Sequence, residues 1–88
     1  MTDPQPGLKP VAPSRVAREL AHLTALRRNG ELERDEYEHR FARMISELRD
    51  RRIGGSRAEI HAAINPMIEA GEIDRAEYER FVSQLGLA

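Results

Sequence analysis

Leu26-Arg27-Arg28-Asn29-Gly30-Glu31-Leu32-Glu33-Arg34-Asp35-Glu36-Tyr37-Glu38 recurs 41 residues later as Met67-Ile68-Glu69-Ala70-Gly71-Glu72-Ile73-Asp74-Arg75-Ala76-Glu77-Tyr78-Glu79. Six of the thirteen positions are identical, and Leu26/Met67, Leu32/Ile73 and Glu33/Asp74 are similar. Duplication of one supersecondary unit explains this without a gap, since a single small hairpin cannot bury its own apolar face. Asn29-Gly30 is also a β-hairpin signal. Both flanks, however, run at a helical period rather than an alternating one, so the glycine is read as the end of a helix.

Outward from these turns, Val16, Leu20, Leu23 and Leu26 form one helical stripe, with Ser14 as its expected N-cap. Tyr37, Phe41, Met44, Ile45 and Leu48 mark a second helix to about Arg52, broken by Ile53-Gly54-Gly55. Ser56-x-x-Glu59 has the spacing of a capping box, and Ile60, Ile64, Met67 and Ile68 continue a third stripe. Asn65-Pro66 predicts a kink or restart in that helix. Gly71 ends it, and Asp74-x-x-Glu77 predicts another capping box opening a last helix with Tyr78, Phe81, Val82 and Leu85 on one face. The expected fold is all-α, with two antiparallel helical hairpins in tandem. A Pro-rich flexible tail covers 1–13, the first hairpin 14–52, a Gly-rich linker 53–56 and the second hairpin 57–88. The hairpins pack on each other or pair across a dimer.

The repeated turn resembles the short C-terminal domain known as SHOCT, which runs from a leucine-rich helix through Gly-x-Ile-Thr-x-x-Glu-Phe to a second helix ending in a Leu-Leu pair. Gly30, Leu32, Glu36 and Tyr37 fit that pattern, with Met44-Ile45 at the terminal pair. Gly71, Ile73, Glu77 and Tyr78 fit it again, with Leu85 at the first terminal position. The family's Thr cap is Glu33 in one copy and Asp74 in the other, and Gly86 replaces the last apolar residue. The resemblance implies an interaction or oligomerisation module. The motif also has a purely structural reading. Glycine lets the chain reverse, Leu32 or Ile73 plugs the hairpin mouth, and the N3 glutamate bonds back toward the cap.

Composition narrows the function classes. The 88 residues are 40% apolar and 33% charged, with no cysteine and no tryptophan. So small a core supplies about 3–5 kcal/mol, a size at which helical chains are often completed by self-association or a partner. The absence of cysteine excludes disulfides and zinc-thiolate sites. No segment has transmembrane length, and the opening MTDPQPGLKPVAP lacks the features of a signal peptide, which predicts a cytoplasmic protein. Of the fourteen basic residues only Lys9 is lysine, a usage that points to a GC-rich bacterial or phage genome.

Setting Gly71 at position 6 of an EF-hand loop places Pro66, Ile68 and Ala70 where oxygen ligands belong; Gly30 gives Ala25, Arg27 and Asn29. Calcium needs several hard oxygens there. His22, His39 and His61 have no i,i+4 partners, and Gly54-Gly55-Ser56 follows no strand and so is no nucleophile elbow. The expectation is a non-enzyme with no cofactor and no metal.

Charge is distributed unevenly. Residues 1–57 carry a net +3 and residues 58–88 a net −4. Arg15, Arg18, Arg27 and Arg28 concentrate on the first helix, and Arg49, Arg51, Arg52 and Arg57 surround the linker. The favoured reading is a solvated face that also pairs internally with the acidic second hairpin. The candidate partner contacts are Leu8, Val11, Arg49, Arg51, Arg52 and Arg57. The expected partner is another protein or a second copy as a homodimer, acting through hairpin surfaces or the tail. The alternative is a small nucleic-acid-binding regulator using the Arg-rich half, which the acidic second half opposes.

Overall fold

The computed structural model describes residues 9–87. Four helices fill most of that span: α1 (Pro13–Arg28), α2 (Arg34–Arg51), α3 (Arg57–Glu69) and α4 (Arg75–Leu85). The all-α fold expected from the periodicity is therefore present. None of these helices is long and apolar enough to cross a membrane.

The duplicated turns coincide bond for bond. Asn29 N–H donates to the Ala25 carbonyl and Gly30 N–H to Arg27, while Glu31 and Leu32 both reach back to Leu26. Ala70, Gly71, Glu72 and Ile73 repeat the pattern on Pro66, Ile68 and Met67. Gly30 and Gly71 sit at φ 76° and 79°, the left-handed conformation that ends a helix without a Cβ clash. Leu32 and Ile73 then fold inward and are buried.

Packing runs across the repeat. α1 lies mainly on α3 and α2 on α4, so each helix contacts its counterpart in the other copy; α1 also packs on α2. One core results, drawing Val16, Leu20 and Leu23 from α1, Phe41 and Ile45 from α2, Ile64 from α3 and Phe81 from α4. Of the two arrangements expected, packing on each other or pairing across a dimer, the first is present within the single chain. The copies differ in detail. Tyr37 is fully buried and its hydroxyl has no hydrogen-bond partner among the described residues, whereas the half-buried Tyr78 hydroxyl lies 2.8 Å from His61 Nδ1.

Several local expectations require correction. The N-cap of α1 is Ala12, not Ser14, because Pro13 occupies the first turn, where its fixed φ suits the helix and its missing N–H is no loss. Asn65-Pro66 does not restart α3: the helix is continuous from Arg57 to Glu69 with Pro66 inside it, and Ile60 and Ile64 are buried in the core. Ser56 and Glu59 form the expected box, with Glu59 N–H donating to Ser56 Oγ at 3.1 Å and Ser56 N–H to Glu59 Oε1 at 2.7 Å. Asp74 makes no such cap bond: its carboxylate accepts instead from Arg28. At α2, Glu36 reaches back to the Glu33 amide at 3.3 Å, which supports a helix start that glutamate caps poorly.

The largest departure concerns the tail. Its last residues are part of the fold, for Val11 pairs with Ile53 in an isolated parallel bridge. Val11 N–H donates to the Arg52 carbonyl and Gly54 N–H donates to the Val11 carbonyl, each at 2.9 Å. A side chain at Gly54 would meet Pro10 Cβ at 3.2 Å, so glycine there permits the close approach. Val11 was expected as a contact for a neighbour; it is 3% exposed and belongs to the chain's own core. Leu8 lies outside the described residues.

Because Val11 is buried, Val11→Ala removes two methyl groups from a packed site and is expected to cost about 2 kcal/mol, at ~0.8 kcal/mol per buried carbon plus a cavity contribution. Urea denaturation should show a lower midpoint at unchanged slope. An unchanged midpoint would show that the tail does not dock in solution.

Candidate functional site: an arginine-rimmed cleft

The two copies are unequal in length, and a cleft lies where they differ. Leu85, the last residue of α4, corresponds to Met44, but α2 continues to Arg51, about two turns further. Gly86 stops α4 at φ 71°, and Leu87 N–H folds back onto the Val82 carbonyl at 2.8 Å. A cleft of about 340 Å³ opens between the end of α4, the overhanging end of α2, the linker and the start of α3. Leu48, Ile53, Ile60, Leu85 and Leu87 supply its aliphatic lining, and Arg49, Arg52 and Arg57 its charge. Among the described residues no acidic side chain lines it. Glu47, Asp50 and Glu59 adjoin lining residues in sequence; Glu47 is held by Arg51 and Glu59 by the Ser56 amide.

Each arginine is placed by the backbone beneath it. Arg49 donates to the Gln84 carbonyl at 2.7 Å, where it meets the negative end of α4. Arg57 is the first residue of α3. Arg52 caps α2 at φ 68° and ψ 159°, a region that is essentially glycine-only. Two backbone bonds hold it there, its N–H to the Leu48 carbonyl at 2.8 Å and its carbonyl from Val11 N–H at 2.9 Å. The Arg52 and Arg57 side chains make no hydrogen bond or ion pair among the described residues.

Three of the four linker arginines expected as partner contacts thus share one cleft. Arg51 does not. Its guanidinium donates to the Lys9 carbonyl at 3.0 Å and to Glu47 at 3.1 Å, binding the tail to α2. The cleft's aliphatic residues were not singled out as a site from sequence, because Leu48, Ile60 and Leu85 fit the core stripes. The signal that finds them is the missing two turns in the second copy, together with Gly86.

Two ion pairs join the halves of the chain. Arg28 holds the second turn through the Gly71 carbonyl and the Asp74 carboxylate. Arg80 grips both carboxylate oxygens of Glu38, one at 3.0 Å, and its guanidinium lies 4.2 Å from the Phe41 ring centre. That hydrogen-bonded grip, helped by the charges of Arg80, Arg27 and Arg34, holds the Glu38 carboxyl below its ordinary value of 4.5. A shallower trough adjoins the cleft and shares Arg57 and Leu87 with it; Ala58, His61, Tyr78 and Val82 complete its lining. Burial pushes the Tyr78 hydroxyl above its ordinary 10.0. Among the described residues no group of three His, Asp or Glu side chains is placed to hold a metal ion. No family model, no curated protein and no solved structure matches this chain.

Two expected outcomes follow from this geometry. Arg52→Gly should stabilise the fold by about 1 kcal/mol, since relief of strain worth 1–3 kcal/mol exceeds the added freedom of glycine in the unfolded chain; thermal and urea unfolding measure it, and a destabilised variant would refute the strain. Glu38 has a lowered carboxyl pKa, so its contribution is present above the unfolded value and disappears as pH falls through the folded one. Glu38→Gln should therefore be less stable than the natural chain at neutral pH, with the gap closing as pH falls below 4.5. A gap that does not change with pH would assign the loss to packing.

Proposed function

We propose that the chain is a non-enzymatic protein-interaction module that docks its partner at the arginine-rimmed cleft. The observation that carries this reading is Arg52. Gly54 and Gly55 stand two and three residues away, yet the glycine-only backbone position holds an arginine whose side chain rims an aliphatic cleft. Strain kept at such a site is explained by a use for the side chain. An aliphatic floor with polar groups at its edge is the anatomy of a protein interface. The resemblance of both turns to SHOCT units supports the same role, as adaptor, oligomerisation factor or inhibitor.

A photo-reactive phenylalanine analogue at Leu87 tests this in cells. The expected result is a protein adduct, formed by the natural background and lost in Arg52→Gly, a variant that folds at least as well. An adduct of twice the chain's mass would identify a second copy as the partner. Nucleic-acid adducts, or protein adducts indifferent to Arg52, would overturn the proposal.

A further inference from the structure

Arg28, Arg51 and Arg80 each hold a carboxylate within the chain, on Asp74, Glu47 and Glu38. Arg52 and Arg57 differ from these three. They stand beside Leu48, Ile53, Ile60 and Leu87, and among the described residues neither the cleft nor the adjoining trough has an acidic side chain in its lining. The cleft also collects helix ends: the start of α3, with Glu59 held at its cap, and the C-terminal ends of α2 and α4, the latter met by Arg49. The charge it offers a ligand is that of the Arg52 and Arg57 side chains, set beside an apolar surface.

We infer that the cleft and trough bind an acidic amphipathic peptide segment of a partner protein, its apolar side chains on the aliphatic floor and its carboxylates on Arg52 and Arg57. The inference rests on the docking role proposed above and names the partner's chemistry. Guanidinium groups pair with carboxylates through parallel hydrogen bonds, and the shared Leu87 makes the two depressions one surface, suited to successive apolar anchors of a helix. A nucleic acid is a poorer fit, because the cleft floor is aliphatic, the trough's two rings, His61 and Tyr78, are hydrogen-bonded to each other, and the second hairpin is acidic. A second copy docking by the same face would set arginine against arginine.

The test uses the full chain, labelled for amide NMR, and three synthetic helical peptides of about 15 residues. One carries Leu at i, i+4 and i+7 with Glu between, one replaces Glu by Lys, and one replaces Leu by Ala. The acidic Leu peptide should shift the amides of residues 52–60 and 82–87, and the other two should not. Its affinity should fall several-fold as salt rises from about 50 mM to about 0.5 M. The double reversal Arg52→Glu/Arg57→Glu should weaken it at least about tenfold, and Arg18→Glu, far from the cleft in sequence, should leave it unchanged. Should the double variant fail to fold, Arg52→Gly serves in its place. Equal binding of the Lys peptide overturns the inference, as does a response to laurate or single-stranded DNA but not to the acidic peptide. If Leu87 captures a protein in cells while the acidic peptide shifts nothing, docking stands and the acidic class falls; if neither occurs, both fall.

Discussion

The apolar stripe of one hairpin is wider than its partner helix can cover, and the molecule is arranged around removing that stripe from water. Val16, Leu20 and Leu23 of α1 and Phe41 and Ile45 of α2 share one core with Ile64 of α3 and Phe81 of α4, so that the second copy is the lid of the first. Hydrophobic burial of this kind is proportional to area and indifferent to direction. Direction comes from the two glycine turns, which fix where each helix reverses, and from arginines reaching between the copies. Arg28 and Arg80 each cross the repeat, one to the second turn and the other to Glu38.

Arginine therefore has two occupations here. Where α1, α2 and α4 face one another, its guanidinium closes gaps between helices, lying 4.8 Å from the Tyr37 ring centre in Arg27 and 4.2 Å from that of Phe41 in Arg80. At the linker it rims a depression that the fold does not fill. The depression owes its existence to imperfect duplication. Had α4 run as long as α2, another two turns of helix would lie across Leu48 and the linker. Shortening by Gly86 leaves that area open and folds Leu87 to its edge.

Much of the architecture was legible from periodicity and glycine placement, because a 3.6-residue stripe and a left-handed stop are local signals. Apart from the α1 cap, moved to Ala12 by Pro13, and the restart expected at Pro66, the misses are non-local. Val11 stands in a proline-rich run with no periodic neighbours, and its pairing with Ile53 depends on a strand-like contact that spacing does not announce. Asp74 has the spacing of a cap, but an arginine from α1, distant in sequence, claims its carboxylate. In the linker the glycines were visible, but the left-handed strain falls on Arg52, fixed from both sides by Leu48 and Val11. Of the proposed site, the three arginines were legible as a charge cluster. Their aliphatic floor was not, since an apolar residue at helical spacing looks the same over a core as over a cleft.

Packing of each helix on its counterpart also shapes how the chain reaches its native state. Small helical proteins commonly fold fast because their contacts are close in sequence. Here the contacts that close the core join segments roughly 40 residues apart, so a long loop must be restricted before burial rewards it. The bridge between Val11 and Ile53 closes a loop of similar length around the first hairpin. Helices can flicker into place early, but their assembly waits on a chain-closure step. The slow part of assembly is then closing the chain, not forming its helices.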